Sequence, residues 1–251
     1  MKTMPGTLYL IPNTLGPAEG DNPLDATIPT EVRQLTAGLD YFVAENAKTT
    51  RAFLKLVAQQ HPLAKPLQEI DIRELNVNTA ATALPALLEP LLAGRNAGLI
   101  SEAGVPAVAD PGANLVRLAH AKGVPVKPLV GPSSLLLAVM ASGLNGQSFA
   151  FNGYLPVDAA QRAKRLKELE DRSRREKQTQ LFIETPYRNA NMLETLVNTC
   201  QPGTLICVAT DITLQSEYIQ TRTAASWKSD LKAGKMPDFN KKPTVFLLLS
   251  D

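Results

Sequence analysis

The chain has 251 residues, of which 44% are hydrophobic and 20% charged, and its formal net charge is +2. This composition is typical of a folded protein long enough for one large domain or two smaller ones. A net charge so close to zero excludes attraction for nucleic acid through bulk charge, so that any such contact needs a local basic patch. Two cysteines and two histidines without a CxxC spacing exclude a disulfide framework and a zinc site.

The sequence predicts a cytoplasmic location. The first residues include Pro5 and Gly6, and their apolar stretch is too short for a signal peptide. The most apolar run, residues 135–141, is far shorter than the roughly 18–20 residues that cross a bilayer. We therefore expect a soluble intracellular protein.

The first part of the chain alternates short apolar runs with segments long enough for helices, which is typical of a mostly parallel sheet with helices on its faces. Helical spacing predicts helices over residues 49–58 and 80–93, with Pro85 and Pro90 as breaks or starts in the second. A further helix is expected from Ser133 or Ser134 up to Gly143. The predicted strands are residues 8–12, 41–44, 97–101 and 126–130.

A second unit is expected to begin near Asn145, so that the predicted domains are residues 1–144 and 145–251. Residues 158–177 predict a strongly charged helix, and further helices are expected at 189–199 and 224–233. The fold class is therefore two α/β domains, with a mostly parallel sheet in the first and a mixed sheet in the second. The strands predicted for the second are residues 148–156, 180–185, 204–210, 216–223 and 243–249.

Residues 98–112, GLISEAGVPAVADPG, have the pattern of a ligand-binding loop. A buried strand ends at Ile100, Gly104 and Pro106 form an open turn, and Asp110 with Pro111 predicts an N-cap followed by proline at the first helical position. Loops at the carboxyl ends of parallel strands are where open α/β sheets bind ligands. The alternative, a connection that only turns the chain, fits these residues equally well.

Three absences exclude large classes of function. No GxGxxG follows the first strand, which argues against a dinucleotide-binding Rossmann domain, and no GxxxxGK[ST] indicates a P-loop. Neither His61 nor His120 has the context of a hydrolase triad. His61 is interpreted as a loop residue and His120 as a structural residue of a helix.

Six motifs, taken in order, resemble the tetrapyrrole methylase superfamily, the class III S-adenosylmethionine-dependent methyltransferases. Within it they are most similar to the bacterial enzymes that methylate a cytidine ribose 2′-hydroxyl in small-subunit ribosomal RNA. The motifs are PNTLG at 12–16, AEN at 44–46, SEAGVPAVADPG at 101–112, GPSS at 131–134, FNGYLP at 151–156 and ETPYR at 184–188.

The resemblance implies that S-adenosylmethionine binds in a cleft of which residues 1–144 form one wall and residues 145–251 the other. It also implies a homodimer, ribosomal RNA or the small ribosomal subunit as partner, and no metal. A cleft of main-chain groups with few charges suits this cofactor. The residues implied to bind it are Pro12, Glu102, Ala103, Gly104, Val105, Pro106, Val108, Ser133, Ser134, Ile183, Glu184, Thr210 and Asp211.

A ribose hydroxyl must lose a proton when it is methylated, so a general base is expected at the site. The candidate bases are Glu45, Glu102, Asp110 and Glu184, because each lies on a predicted loop. Helix capping is the competing interpretation of Asp110, and orientation of the loop backbone that of Glu102. The sequence assigns the base to none of them.

The basic helix at 158–177 has two interpretations. It is a solvated face stabilised by pairs such as Arg172 with Glu176, or a phosphate-binding surface to which Arg188, Lys241 and Lys242 belong.

Several positions depart from the pattern of the RNA enzymes. Asn13 and Thr14 replace Thr-Pro, Glu102 replaces an aspartate, and Tyr187 replaces a common histidine. These departures keep two alternatives open, namely methylation of a small molecule such as a tetrapyrrole, and a non-catalytic paralogue that binds the cofactor or RNA. The aromatic content of 5% gives little support for a large flat ring as substrate.

Overall fold

The computed structural model of the chain describes residues 4–17, 20 and 23–251. The chain forms two compact units, Met1–Ser133 and Ser134–Asp251. Each unit has a five-stranded sheet covered by helices, which confirms the predicted two-unit α/β fold class.

The first unit contains a sheet of five parallel strands in the order β3-β2-β4-β1-β5. Its strands are β1 (Leu8–Ile11), β2 (Tyr41–Ala44), β3 (Asp71–Glu74), β4 (Ala97–Ile100) and β5 (Val126–Pro128). Its helices are α1 (Thr30–Ala37), α2 (Ala47–Ala58), α3 (Leu84–Leu92) and α4 (Gly112–Ala121), with 3-10 turns at Leu67–Glu69 and Ala81–Ala83.

Two separate cores show on which face of this sheet each helix lies. Val32 of α1 and Phe53 of α2 pack with Ile11 of β1 on one face. Leu88 of α3 and Leu115 of α4 pack on the other. The connections that leave the adjacent strands β1 and β4 therefore go to opposite faces. In open α/β sheets, such a divergence opens a crevice at the carboxyl edge.

Two elements of the first unit were not predicted. Strand β3 reads DIRE and lies at the edge of the sheet, where three of its residues are partly buried, so it lacks the apolar signal of a central strand. Helix α1 reads TEVRQLTA and has few apolar residues. Pro85 lies in the first turn of α3, as predicted, and Pro90 lies inside that helix.

The second unit contains a mixed sheet in the order β6-β7-β10-β8-β9, in which only β6 and β7 pair in parallel. Its strands are β6 (Phe149–Tyr154), β7 (Thr179–Ile183), β8 (Leu205–Thr210), β9 (Tyr218–Thr223) and β10 (Thr244–Leu249). Its helices are α5 (Ser134–Ser142), α6 (Ala159–Glu176), α7 (Asn189–Thr199) and α8 (Ala224–Lys232), with a 3-10 turn at Pro186–Arg188.

Helices α6, α7 and α8 cover one face of this sheet. Phe182 and Phe246 stack with ring centroids 5.9 Å apart, and the buried Trp227 donates its indole N–H to the Ile206 carbonyl at 2.9 Å. Helix α5 packs on the opposite face, where Thr221 donates to the Ser142 carbonyl at 2.6 Å. This packing places α5 in the second unit, whereas the division expected from sequence, after residue 144, assigned it to the first.

Across the described ranges, none of the helices combines the length and the apolar character that a membrane span needs. Those ranges also contain no group of three or more His, Cys, Asp or Glu side chains placed to hold a metal ion.

Candidate functional site

Four of the six motifs lie at one edge of the first sheet. Because the strands are parallel, the segments that follow them all leave from the carboxyl edge. Ile11 pairs with Ile100, so Pro12 and Ser101 start neighbouring loops. We name them the β1 loop (residues 12–16), the β4 loop (residues 101–111) and the β5 loop (residues 129–133), and the AEN motif follows β2.

Asn13 fastens the β1 loop to the β4 loop. Its backbone N–H donates to the Gly104 carbonyl at 2.9 Å, and the Gly104 N–H donates to the Thr14 carbonyl at 3.3 Å. Its side-chain amide donates to the carbonyls of Ser101 and Glu102 at 3.2 and 3.0 Å. Sequence reasoning noted Asn13 only as a departure, whereas in the structure its side chain, in a residue 6% exposed, fixes the start of the β4 loop.

Two glycines permit the three loops to approach closely. Gly104 has φ +67°, and a Cβ there would lie 3.0 Å from Leu15 Cδ2 and 3.4 Å from the Pro132 carbonyl oxygen. A Cβ on Gly131 would lie 2.2 Å from Pro12 Cβ. The positive φ disfavours a side chain at position 104, and contact with the Pro12 ring leaves no room for one at position 131.

The β4 loop holds two alanines in the left-handed region, Ala107 at φ 66° and Ala109 at φ 61°. Such conformations are uncommon for residues with a Cβ and concentrate at functional sites. The Asp110 carboxylate supports them, accepting the Ala107 N–H at 2.8 Å and the Gly112 N–H at 2.6 Å. Helix α4 starts at Gly112, one residue later than predicted, with Pro111 at the N-cap position.

Both Asp110 oxygens thus accept backbone N–H groups, but the N-cap position belongs to Pro111, so the prediction of Asp110 as the N-cap is wrong by one residue. Burial raises the pKa of Asp110, while its hydrogen bonds from Gly112 and Ala107 act in the opposite direction.

Glu45 and Glu102 are neighbours at this edge. Glu45 accepts the Glu102 N–H at 3.0 Å, and Glu102 accepts the side-chain N–H of Asn46 at 2.9 Å. Each carboxylate keeps one oxygen without a hydrogen-bond partner in the part of the chain that the structure describes. Both residues therefore orient loops and still offer an acceptor oxygen.

Four of the five predicted residues of the second unit also lie together, at one edge of its sheet, whereas the fifth, Ser134, is the first residue of α5. Ile183 ends β7 and Thr210 ends β8, followed by Glu184 and Asp211. The antiparallel strand β10 starts between them, and Thr244 pairs with Thr210 in the register. The hydroxyl oxygens of Thr210 and Thr244 are 3.0 Å apart.

Glu184 is the most deeply buried carboxylate of this edge, with its side chain 1% exposed. Its Oε1 accepts the Thr185 N–H at 2.6 Å and two N–H groups of Arg188 at 3.0 and 2.5 Å. Its Oε2 is buried and has no partner among the residues described. Arg188 is thus committed to Glu184, which argues against its predicted role as a phosphate contact.

Asp211 is held in the left-handed region at φ 51° and accepts the Ser216 hydroxyl at 2.8 Å. The Lys242 ammonium lies 3.6 Å from the same Asp211 oxygen, so this lysine also has a structural partner.

Asn189 was missed by sequence reasoning. Its side-chain N–H groups donate to the carbonyls of Phe239 and Lys242 at 3.0 and 2.8 Å and to the Thr244 hydroxyl at 3.1 Å. Its Oδ1, like Glu184 Oε2, is a buried oxygen without a partner among the described residues. Its only sequence signal is its position directly after the ETPYR motif. These two buried oxygens can each accept a hydrogen bond that none of the described residues supplies.

The structure favours the solvated-face interpretation of α6. The predicted Arg172–Glu176 pair is present at 3.2 Å, and Arg162 is buried and bonds Thr195 and the Val157 carbonyl. The remaining arginines pair with acids of the same helix: Arg165 with Glu168, Arg174 with Asp171, and Arg175 with Glu176.

The architecture is that of the two-domain tetrapyrrole methyltransferases. The methyltransferase CobJ aligns with 97% of this chain and 93% of its own at a TM-score of 0.59 and 20% identity. The cobalt precorrin-4 methyltransferase CbiF aligns with 97% of this chain and 94% of its own at a TM-score of 0.55 and 16% identity. At these identities the similarity shows the fold.

The family follows from sequence. The model of the Tetrapyrrole (Corrin/Porphyrin) Methylases matches residues 27–226, and this chain belongs to that family. It is a methyltransferase that uses S-adenosylmethionine as methyl donor.

Its similarity to curated relatives extends over nearly the whole chain. The Ribosomal RNA small subunit methyltransferase I of Vibrio cholerae serotype O1 is 31% identical over 99% of this chain and 79% of that protein. The protein of the same name from Xylella fastidiosa is 28% identical over 98% of this chain and 81% of its own length.

Proposed function

We propose that this chain transfers a methyl group from S-adenosylmethionine to a ribose 2′-hydroxyl of small-subunit ribosomal RNA. The observation that carries this proposal is the alignment over 99% of the chain with a relative named for that RNA, which includes both clustered edges. The likeness to CobJ and CbiF supports the fold and selects no acceptor.

The residues at the two edges fit the cofactor. The amide N–H groups of Ala103 and Val105 have no partner among the described residues, so they are donors suited to a carboxylate. Glu184 Oε2 and Asn189 Oδ1 are buried acceptors suited to amino or hydroxyl groups. When bound, S-adenosylmethionine supplies an electrophilic methyl group on a sulfonium.

The proposed cofactor-binding set is the one that the family resemblance implies, and the fit described above supports Ala103, Val105 and Glu184 within it. In the first unit it consists of Pro12, Glu102, Ala103, Gly104, Val105, Pro106, Val108 and Ser133. In the second it consists of Ser134, Ile183, Glu184, Thr210 and Asp211.

In this proposal, a carboxylate of the first unit accepts the proton that the ribose 2′-hydroxyl loses. Both Asp110 oxygens accept backbone N–H groups, and Glu184 is buried against Arg188. Glu45 and Glu102 each keep an oxygen free to accept the proton that the hydroxyl loses. No covalent nucleophile is needed, because orientation of the two reactants supplies roughly 7–11 kcal/mol in favourable cases.

The test is transfer of label from methyl-tritiated S-adenosylmethionine to small ribosomal subunits, naked small-subunit RNA and a porphyrin precursor. We expect label in RNA, and after alkaline hydrolysis we expect it in dinucleotides, because cleavage needs a free 2′-hydroxyl. Label in the porphyrin alone would contradict the proposal. Binding of adenosylhomocysteine without transfer to any acceptor would indicate a non-catalytic paralogue.

We also propose that the protein is a homodimer, as the family resemblance implies, and that it is cytoplasmic, as the sequence predicts. Sedimentation equilibrium at micromolar protein should give twice the chain mass. A single chain mass at all concentrations would refute the dimer.

A further inference from the structure

Helix α2 starts at the candidate site and is fixed to it. Asn46 caps the helix, since its Oδ1 accepts the N–H groups of Lys48 and Thr49 at 2.9 and 3.3 Å. Its side-chain N–H donates to Glu102 of the β4 loop. The first turn of α2 is therefore tied to the β4 loop through a single asparagine.

One exposed face of α2 is purely basic. The helix buries Phe53, Leu54 and Val57, and its exposed side carries Lys48, Arg51 and Lys55. Intervals of three and four residues place these three on the same face. Helix α2 contains no acidic residue, and within the described ranges none of the three cations forms an ion pair.

Helix α6 shows the opposite arrangement. It carries more basic residues, yet four of its arginines pair with acids of the same helix. Pairing lowers the positive potential that a polyanion meets, so the number of basic residues overstates the attraction of α6. Helix α2 has fewer basic residues than α6, but its three exposed cations have no ion-pair partner among the described residues, and the helix starts next to the proposed site.

We propose that Lys48, Arg51 and Lys55 bind the phosphate backbone of the RNA and thereby position the target ribose at the loops. This inference rests on the proposed function. Seven residues of helix separate Lys48 from Lys55, which is about 10 Å along the axis, so the three cations contact successive phosphates of one strand. Phosphate contacts fix register and orientation without reading sequence. The base-specific contacts must then come from other residues or from the fold of the RNA.

The test compares two triple variants that remove the same charge. The first is Lys48→Gln/Arg51→Gln/Lys55→Gln, since glutamine keeps the helix propensity of lysine and arginine. The matched control is Lys164→Gln/Lys167→Gln/Lys177→Asn, which changes two residues of α6 and its C-cap, none with an ion-pair partner among the described residues. Asparagine suits position 177, where φ is 51°. Both are titrated with a fluorescent transcript of small-subunit RNA from low to high salt.

We expect the α2 variant to bind the RNA about tenfold more weakly at low salt, with the slope of log Kd against log salt reduced by about 2. The α6 control should keep the wild-type slope. Adenosylhomocysteine affinity should stay unchanged in both, which separates RNA docking from damage to the cofactor site. A single variant, Arg51→Lys, should retain the wild-type slope because it keeps the charge.

Equal weakening of both triple variants would overturn the inference in favour of net charge, and weakening of the α6 control alone would assign docking to α6. Failure of the proposed function would be seen differently. In that case the wild type transfers no methyl group to RNA, and the slopes of log Kd against log salt still show whether α2 binds RNA. If the α2 triple variant unfolds, the single glutamine variants are titrated in its place, and unchanged slopes in all three would overturn the inference.

Discussion

The two clustered edges are stabilised in different ways. At the first, backbone hydrogen bonds and the Asn13 amide join the β1 and β4 loops, and two glycines allow the β1, β4 and β5 loops to approach closely. At the second, a buried carboxylate is held by Arg188 and another by Lys242, and two buried oxygens lack partners among the described residues. The first edge thus offers main-chain donors, and the second offers acceptors.

Each edge, taken by itself, suits a different part of the proposed cofactor. Its carboxylate needs N–H donors, whereas the amino group of adenine and the ribose hydroxyls need acceptors. The difference between the edges also predicts different responses to substitution. Removing one cation at the second edge leaves a buried carboxylate charge without its partner, which is costly. Removing one side-chain amide at the first edge leaves neutral carbonyl groups without a donor, which costs less.

The largest effect is expected for Arg188→Ala. Glu184, with its side chain 1% exposed, would lose its cation, which should destabilise the second unit by about 3 kcal/mol. Trp227 is the only tryptophan of the chain and lies in the core of this unit, so its fluorescence follows unfolding in urea.

Arg175→Ala is the matched control, because its ion pair with Glu176 is exposed and should contribute little. Similar urea midpoints for the two variants would contradict the distinction between a buried and an exposed pair.

A smaller effect is expected for Asn13→Ala. The variant leaves the carbonyls of Ser101 and Glu102 without this donor and should cost about 2 kcal/mol. Hydrogen exchange measured by mass spectrometry should speed up in the β4 loop. The control Asn114→Ala removes an exposed side-chain amide whose one partner among the described residues is Arg117, and it should leave exchange unchanged. Equal protection of the β4 loop in both variants would refute the role of Asn13.

The smallest effect is a pH dependence at Asp110. Burial raises its folded pKa above the unfolded value, so its contribution to stability is present at low pH and is lost as the pH rises through the folded pKa. The stability of the wild type relative to Asp110→Asn should therefore increase as the pH is lowered from about 7 to about 4. Urea unfolding at a series of pH values measures this difference, and a decrease toward low pH would contradict the raised pKa.

The central strands of the first sheet could be predicted because they are buried on both faces and read as short apolar runs, as in β1, β2 and β4. Because parallel strands place the loops that follow them at one edge of the sheet, the predicted site residues on those loops of the first unit lie together. The edge strand β3 and the polar helix α1 gave no such signal.

The contacts that build each edge could not be predicted. Asn13 bonds carbonyls 88 and 89 residues away, and Asn189 bonds groups 50 to 55 residues away. Such partners depend on the strand order and register, which neither composition nor local spacing shows. The pairing of the α6 arginines was partly visible, because Arg172 and Glu176 have the spacing of helical ion pairs.

The most direct test of the account is calorimetric titration of adenosylhomocysteine into the wild type, Gly131→Ala and Gly203→Ala. An added Cβ on Gly131 would lie 2.2 Å from Pro12 Cβ, whereas one on Gly203 would meet no described atom within 4 Å. The account predicts saturable binding to the wild type and Gly203→Ala, and affinity at least about tenfold weaker for Gly131→Ala, since such a clash costs about 1–3 kcal/mol. Absence of heat with the folded wild type, or equal affinity for all three proteins, would contradict it.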